Sequence, residues 1–316
     1  MTVHIVCSTF NGARFLDAFV QSLQRQTDAD WRLWTRDNGS TDGSPGLIES
    51  FSASDDRIRV TDRSRTPLGV VGTFARLLDL LPVDADYVML ADQDDVWLPD
   101  KIECTLAAMH DAEREAPGPV LVHTDLIVVD EALNQLDDSF WHYNRVNPEP
   151  VPLRQVVVKN GVTAGTVLMN RPLRDLVGHI PEGAAVHDWW VACVATAFGR
   201  VVALPRPTVL YRQHDANVIG AQRPLSALAL HELVAAAPSL KRRTTRMRAN
   251  IVAAARQARA FLDRFADQLS PADRRFLDSY SRIPEHSFLA RKVDLFRMQL
   301  LPGNTLLQNI GILLRA

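Results

Sequence analysis

Apolar, strand-like segments alternate with amphipathic helical patterns along the first hundred residues of this 316-residue chain. Compact apolar runs bounded by polar residues predict four strands, at residues 3–7, 31–35, 58–61 and 87–91. Between them, apolar side chains recur at helical spacing over residues 15–23 and 70–81, and Asn11 is placed to cap the first helix. This alternation predicts a mostly parallel α/β sheet with helices on both faces.

Polar clusters follow three of the predicted strands, at residues 8–12, 37–42 and 92–95. The carboxyl ends of parallel strands meet at one edge of a sheet, and ligands bind at that edge. Any one of these clusters is equally well explained as a solvated loop. Three of them at one predicted edge favour a ligand site.

The acidic cluster constrains the chemistry most. Asp92, Asp94 and Asp95 directly follow the strand at 87–91, and like charges held together repel one another unless a cation lies among them. A few oxygen ligands suit Mg²⁺ or Mn²⁺ shared with substrate phosphates. The alternative is a turn in which Asp95 or Asp100 favours the start of the next helix, although capping does not require three acidic residues.

Ordered motifs in the chain resemble glycosyltransferase family 2. STFNG follows the first predicted strand, DNGSTDGS the second and ADQDDVW the fourth; NGVTAGTVLMN, HDWW and YRQHDANVIGA follow in the family's order, over about residues 1–220. The resemblance implies an inverting enzyme with the glycosyltransferase A fold, a Rossmann-like nucleotide-diphospho-sugar transferase fold. ADQDDVW, HDWW and YRQH are most similar to the rhamnosyltransferase-like members, which implies dTDP-L-rhamnose as the donor.

The same resemblance implies which residues bind the nucleotide. Ser8, Thr9 and Asn11 would line its pocket, and Asp37 would contact the base and its neighbourhood. Arg212 would pair with the diphosphate, or else brace the acidic loop.

The resemblance also implies metal and catalytic roles. Asp92, the first carboxylate of the acidic motif, is grouped with the residues that bind the nucleotide. Asp94 would approach the ribose and the metal, and Asp95 would ligate Mg²⁺ or Mn²⁺ directly. His214 matches a position that completes the metal or diphosphate site; alone it would be an ordinary surface or core histidine. Asp188 matches the general base, which takes the proton of the acceptor hydroxyl. Spacing alone favours a helix cap for Asp188, and the order of the motifs favours the base.

Two further segments have open interpretations. The small residues of 160–170 would line the floor of the acceptor site or form a hairpin turn. Residues 137–152 are predicted to form a long loop or lid. Trp189 or Trp190, beside the proposed base, would offer an acceptor platform, and Trp97 is a candidate for an apolar wall against a sugar methyl group.

The charge pattern divides the chain. The whole chain carries 35 basic and 37 acidic residues, so no global field favours nucleic acid as a partner. Residues 241–297 carry 14 basic and 6 acidic residues. We therefore expect a catalytic domain over residues 1–222 and an α-helical region over 223–316 that associates with a membrane or a partner. The alternative is a solvated helix packed on the catalytic domain.

That helical region is predicted to contain helices at 225–237 and 241–269 and a further one opened by Pro271. No secretory signal and no run of 18 apolar residues is visible, which predicts a cytoplasmic protein, with peripheral contact to the inner face of the cell membrane as an open alternative.

The sequence thus predicts a metal-dependent inverting glycosyltransferase that transfers a sugar from a nucleotide donor to a glycan or lipid-linked acceptor. YRQH departs from the Gln-x-x-Arg-Trp pattern of processive synthases, which favours addition of a single sugar. A sugar-phosphate nucleotidyltransferase would open with a glycine-rich basic loop, which STFNGARF lacks. A catalytically silent nucleotide-sugar or glycan-binding scaffold subunit is the other alternative, and the intact Asp95 and Asp188 argue against it.

Overall fold

The computed structural model describes residues 1–62, 64, 66–214 and 237–285. Its strands are β1 Val3–Thr9, β2 Trp31–Asp37, β3 Ile58–Val60, β4 Tyr87–Asp92, β5 Val96–Trp97, β6 Val120–Val129, β7 Gln135–Asp137, β8 Leu168–Asn170 and β9 Arg200–Arg212. Its helices are α1 Ala13–Gln24, α2 Ser44–Ser54, α3 Gly69–Asp79, α4 Lys101–Glu115, α5 Phe140–Asn144, α6 Leu153–Val158, α7 Arg171–Val177, α8 His187–Phe198, α9 Ala237–Phe265 and α10 Pro271–Ser281. Short 3₁₀ turns lie at Ala164–Thr166 and Ile283–Glu285.

One mixed sheet organises the described strands. Its order is β3-β2-β1-β4-β8-β6-β9-β5, with β7 paired to β6. β1 and β4 are almost entirely buried, as expected of strands covered on both faces. The apolar stripe of α1 packs into the same core through five side chains: Phe15, Leu16, Phe19, Val20 and Leu23.

The first half of the sheet is parallel, as the alternation of strands and helices predicts. β1 lies between β2 and β4 and runs parallel to both. The register places Thr9 beside Asp37 and Ser8 beside Asp92. The three polar clusters therefore meet at one edge of the sheet, which confirms that prediction.

The second half corrects the prediction of a mostly parallel sheet. β8 is antiparallel to both β4 and β6, and β5 is antiparallel to β9, while β6 and β9 are parallel. β8 has only three residues and enters the sheet directly from the 3₁₀ turn at Ala164–Thr166. A strand this short carries no periodicity from which its direction can be read.

Two local predictions were wrong. Asn11 does not cap α1, because Gly12 is the N-cap and Asn11 adopts a left-handed backbone with φ of 46°. Instead the carboxylate of Asp42 accepts a hydrogen bond from the first helical amide, that of Ala13, at 3.1 Å. Residues 137–152 are not one long loop, because they contain α5, which Ser139 caps by accepting a hydrogen bond from the His142 amide at 3.0 Å.

The described residues divide into two compact units. The first lies within Met1–Pro150, Val162–Glu182 and Val186–Ala221, and the second within Val151–Gly161, Gly183–Ala185 and Gln222–Ala316. The second unit is therefore not continuous in the sequence.

The second unit is built from α6, α9, α10 and the last 3₁₀ turn, whose contacts bury Phe261, Phe265, Leu277 and Tyr280. α10 begins at Pro271 as predicted, and the predicted helix at 241–269 corresponds to α9. The predicted helix at 225–237 lies outside the described residues except for its last residue. Among the described helices, none combines the length and the apolar character needed to cross a bilayer.

Candidate active site

The loops after β1 and β2 are joined by side-chain hydrogen bonds. The Asn11 amide donates to Ser40 Oγ at 2.9 Å, and the Thr41 amide donates to Asn11 Oδ1 at 2.9 Å. Asn11 therefore connects the two loops that were predicted to surround a nucleotide. Both hydrogen bonds join one loop to the other, so the contribution of Asn11 to the site is to hold the two loop backbones in place.

Asp37 organises the second loop around its own carboxylate. The oxygen Oδ2 accepts hydrogen bonds from the amides of Gly39 at 3.1 Å and Ser40 at 2.9 Å, and Oδ1 accepts from Ser40 Oγ at 2.5 Å. Thr9 Oγ1 donates to the same carboxylate at 3.4 Å. Thr9 and Asp37 thus fix the shape of this edge, while Ser8 lies half-buried opposite Asp92.

Phe10, which was not predicted to be a site residue, lies in the first of these two loops. Phe10 is 51% exposed although it is a large apolar side chain, and it belongs to the loop after β1. The only signal in the sequence was an aromatic residue within an otherwise polar turn cluster. An exposed ring beside a ligand site offers a flat apolar face on which a planar or sugar ring can stack.

The acidic motif has one fully buried carboxylate, that of Asp95, among partly buried neighbours. Asp95 is 1% exposed, and its Oδ1 accepts a hydrogen bond from the Arg212 amide at 3.0 Å. Its other oxygen, Oδ2, is buried without a hydrogen-bond partner. Burial, together with the charge of Asp94, raises the pKa of Asp92 to about 7 and that of Asp95 well above its usual range. The cluster is therefore a site that would gain from a bound cation.

A turn of small residues supports these carboxylates. A Cβ on Gly165 would lie 3.3 Å from Asp95 Oδ2 and 3.5 Å from Asp92 Oδ2. Residues 160–170 were predicted to be an acceptor floor or a hairpin. The small residues at Ala164–Thr166 form a 3₁₀ turn and not a hairpin, and this turn lets the backbone approach the acidic motif. The acceptor floor stays a prediction.

Asp188 points at the same turn. It lies in the first turn of α8, where the N-cap is Val186, so Asp188 is not the cap residue. Its Oδ2 accepts a hydrogen bond from the Ala164 amide at 3.0 Å, and burial raises its pKa to about 7. Ala164 therefore contacts Asp188, while its neighbour Gly165 approaches Asp92, so one 3₁₀ turn lies against both carboxylates. A carboxylate whose pKa lies near neutrality has the acid–base strength of a general base.

Arg212 braces the acidic loop. Its Nε donates to the carbonyl oxygen of Asp94 at 2.8 Å, and its guanidinium also donates to the carbonyl of Glu131. The guanidinium carbon lies 4.9 Å from the centre of the Phe15 ring. These contacts match the bracing role, which was one of the two left open for this residue.

His214 contacts Asp94, a partly exposed carboxylate of the motif. Its Nε2 lies 2.8 Å from Asp94 Oδ2, and its ring packs on Phe15 with centroids 4.6 Å apart. The Asp94 side chain is 21% exposed and that of His214 is 4% exposed. The structure thus brings together two side chains that lie 120 residues apart in the sequence.

These residues fit a shared cation better than a closed cage. In the described part of the chain, no group of three or more His, Cys, Asp or Glu side chains is arranged to hold a metal ion. The paired Asp94 and His214 and the unpartnered Asp95 Oδ2 are hard or borderline donors. Mg²⁺ and related ions commonly take one or two protein carboxylates and complete their shell with phosphates and water. Asp94, His214 and Asp95 form a small donor set of this type, which leaves coordination positions for phosphate and water.

The three tryptophans proposed to contact a sugar are core residues. Trp190 and Trp97 are buried, and Trp189 is nearly so, because α8 and β5 pack into the interior. Neither Trp189 nor Trp190 presents a ring face as an acceptor platform, and Trp97 is not an exposed wall. Those interpretations are not supported by the packing.

A separate cavity of about 430 Å³ lies at the opposite edge of the sheet. Thr2 and His4 of β1 and its approach, Arg32 and Trp34 of β2, and Arg59 of β3 contribute to its lining. It contains none of the predicted site residues. The carboxylates of the acidic motif lie instead at the carboxyl edge of the sheet.

Comparison with solved structures identifies the fold. The structure has a TM-score of 0.55 to a crystal structure of Staphylococcus aureus TarS 1-349 in complex with UDP-GlcNAc, at 12% identity, over 99% of this chain and 78% of that one. At this identity the likeness concerns the fold alone. The chain has a glycosyltransferase A-like fold, as predicted.

The sequence comparisons give the family. The profile of "Glycosyl transferase family 2" matches residues 4–175, more than half of the chain. The chain belongs to glycosyl transferase family 2 and is a glycosyltransferase. This sets aside the nucleotidyltransferase alternative.

Two relatives of the chain have names that state a donor or an acceptor. The dTDP-rhamnosyl transferase RfbG of Shigella flexneri is 25% identical over 222 residues, which are 68% of this chain and 73% of that protein. The UDP-Glc:alpha-D-GlcNAc-diphosphoundecaprenol beta-1,3-glucosyltransferase WfgD of Escherichia coli is 25% identical over 107 residues, 34% of this chain and 40% of that protein.

Proposed function

We propose that this glycosyltransferase is a metal-dependent, inverting enzyme that adds one sugar to a glycan or lipid-linked acceptor in cell-surface polysaccharide synthesis. The observation that carries the proposal is the position of Asp188. Its buried carboxylate is held by the Ala164 amide at 3.0 Å, and its charge acts on Asp92 in the acidic motif.

In the proposed reaction Asp188 is the general base. The acceptor hydroxyl oxygen bonds to the anomeric carbon as the bond from that carbon to the diphosphate oxygen breaks, and the hydroxyl proton passes to Asp188. A single displacement of this kind inverts the anomeric configuration and needs no covalent sugar–enzyme intermediate. The hydrogen bond from Ala164 orients the carboxylate, and burial gives it a pKa of about 7, so that it is largely ionised above neutral pH.

Asp94 and His214 are the proposed first ligands of Mg²⁺ or Mn²⁺. Their side-chain atoms lie 2.8 Å apart, and Asp94 is the more accessible of the two. Asp95, proposed from the family pattern as a direct ligand, offers the buried Oδ2 behind them. A bound divalent ion would neutralise charge on the leaving diphosphate. A mixed oxygen and nitrogen donor set favours Mn²⁺ over Mg²⁺, because Mg²⁺ prefers oxygen ligands.

The nucleotide is proposed to lie across the loops after β1 and β2. Ser8, Thr9, Asn11 and Asp37 build the walls, and the exposed ring of Phe10 supplies a stacking face for the base. This assignment uses the same loops that the sequence singled out.

The donor is proposed to be dTDP-L-rhamnose. The support is the sequence similarity to RfbG, whose name describes a dTDP-rhamnosyl transferase, and the forms ADQDDVW, HDWW and YRQH. In a competition among dTDP-rhamnose, UDP-glucose, UDP-galactose and GDP-mannose we expect dTDP-rhamnose to be consumed first. Discrimination by an apolar wall for the 6-methyl group is worth about 1–3 kcal/mol, or about 10–200-fold.

Product NMR supplies a second check on that prediction. Inversion of a β-L-linked donor gives an α-L-rhamnoside. Preference for a UDP-hexose would overturn the donor assignment and leave the family and the mechanism standing, whereas a retained anomeric configuration would overturn the mechanism.

We propose that residues 1–222 carry out catalysis and that residues 223–316 associate with the acceptor or the membrane. The name of WfgD includes a diphosphoundecaprenol-linked sugar, which supports a lipid-linked acceptor. The basic residues of α9 and its surroundings supply the charge for an anionic membrane surface. The protein would then be cytoplasmic and peripheral on the inner face of the cell membrane.

Charge reversal tests the membrane role. Changing Arg242, Arg243, Arg246 and Arg248 together to glutamate should weaken binding to anionic vesicles by up to about 1 kcal/mol per residue. Sedimentation with vesicles of anionic and of neutral lipid, at low and high salt, measures this. The same four changes to lysine keep the charge and serve as the control. Absence of vesicle binding by the unaltered protein at low salt would contradict the proposal.

A further inference from the structure

Gln93 lies between the two acidic residues Asp92 and Asp94 and makes a paired contact with the loop after β1. The Phe10 amide donates to Gln93 Oε1 at 2.9 Å, and Gln93 Nε2 donates to the Phe10 carbonyl at 2.8 Å. The side-chain amide thus satisfies both backbone groups of Phe10, in the way that a neighbouring strand would.

The contact continues the sheet beyond its last backbone pair. The register of β1 with β4 ends where Ser8 lies beside Asp92. From that point the two segments run on as the Phe10 loop and the acidic motif, and the Gln93 amide joins them one residue past β4. The Phe10 loop is also held from its other side by the bonds of Asn11 to Ser40 and Thr41.

Gly12 lies beside the same contact. A Cβ on Gly12 would lie 2.2 Å from Gln93 Oε1 and 2.4 Å from Gln93 Cδ, far inside contact distance. Its backbone, with φ of −108° and ψ of 9°, is one that other residues adopt. A side chain at position 12 would therefore require the Gln93 amide to move, although the backbone there would accept one.

We propose that Gln93 is a positioning residue that fixes the spacing between the Phe10 loop and the acidic motif. This inference rests on the proposed function, in which the Phe10 loop takes the nucleoside and the acidic motif takes the diphosphate and metal. A nucleoside diphosphate spans both subsites, so its affinity depends on their spacing. A nucleoside contacts only one of them, so its affinity does not. Holding two subsites at a fixed spacing lowers the cost of binding a ligand that bridges them.

The test measures the two ligands separately. Binding of dTDP and UDP with Mn²⁺ is measured by calorimetry, and binding of thymidine and uridine by ligand-observed NMR. For Gln93→Ala we expect about a tenfold loss of affinity for the diphosphate that the unaltered protein prefers, since two hydrogen bonds are removed. For the matching nucleoside we expect less than about a twofold change, since the bonds of Asn11 to Ser40 and Thr41 still hold the Phe10 loop.

The Gly12→Ala variant tests the same contact from the side of the Phe10 loop. Its Cβ should displace the Gln93 amide and produce a similar selective loss for the diphosphate. In the double variant Gly12→Ala, Gln93→Ala the clash is gone, so its affinity should equal that of Gln93→Ala alone. Gly46→Ala is the matched control, because a Cβ there meets nothing within 4 Å and should leave both affinities unchanged.

The outcomes separate this inference from the proposed function. Equal losses for diphosphate and nucleoside, no loss for either ligand, or additive losses in the double variant would each overturn the positioning role of Gln93. Failure of the unaltered protein to bind any nucleoside diphosphate with Mn²⁺ would instead overturn the proposed function itself.

Discussion

Replacing Asp188 with asparagine is expected to lower turnover by about 10²–10⁴-fold while donor affinity stays near that of the unaltered enzyme. Asparagine keeps an oxygen that can accept the Ala164 hydrogen bond, so the local structure is preserved, but the amide cannot take a proton. Steady-state kinetics give the turnover, and calorimetry with the donor and Mn²⁺ gives the affinity.

The pH profile distinguishes a base from a structural carboxylate. Because burial raises the pKa of Asp188 to about 7, the group is protonated and inactive as a base below that pH. Turnover should therefore fall as the pH drops through about 7, and Asp188→Asn should lose this limb of the profile. Asp111→Asn, at an exposed carboxylate on α4, is the matched control. Loss of donor binding together with turnover would show that Asp188 belongs to the structure or to the nucleotide site.

Removing the proposed metal ligands is expected to have an effect of similar size. Asp94→Asn and Asp95→Asn should each reduce transfer by about 10³-fold, since a metal worth several kcal/mol to the transition state is lost. Neither variant should lose thermal stability, because each change removes a charge from a cluster of mutually repelling carboxylates.

Metal binding is measured directly by Mn²⁺ titration in the presence of nucleoside diphosphate. His214→Ala should weaken Mn²⁺ more than Mg²⁺, because it removes the nitrogen donor beside Asp94. Undiminished transfer by the unaltered enzyme after complete chelation of divalent ions would contradict the metal assignment for all three residues.

The edge of the sheet was predictable from the sequence because it follows from local patterns. Apolar runs fix the strands, and parallel pairing brings their carboxyl ends together, so Thr9, Asp37 and Asp92 meet without any knowledge of long-range packing. The residues that close this edge are separated by long stretches of chain. Gly165 approaches Asp92 and Asp95 only because β8 enters the sheet antiparallel.

The environment of Asp188 and the partner of Gln93 could not be predicted for the same reason. Spacing in the sequence indicated that Asp188 lies near the start of a helix, but the burial that raises its pKa depends on elements that pack around it. Gln93 resembles an ordinary polar turn residue in the sequence, and its role appears only when the Phe10 loop lies beside it. The lack of space at Gly12 is likewise a property of the packed structure.

The residues at the carboxyl edge of the sheet are proposed to carry out metal-dependent sugar transfer from a nucleotide donor. The most direct measurement is release of nucleoside diphosphate from a panel of nucleotide sugars, with Mn²⁺, with chelator, and with Mn²⁺ restored. We expect turnover of at least one donor that falls about 10²-fold or more in chelator and returns with Mn²⁺. Turnover that is equally fast in chelator, or no turnover of any donor with an acceptor extract present, would contradict it.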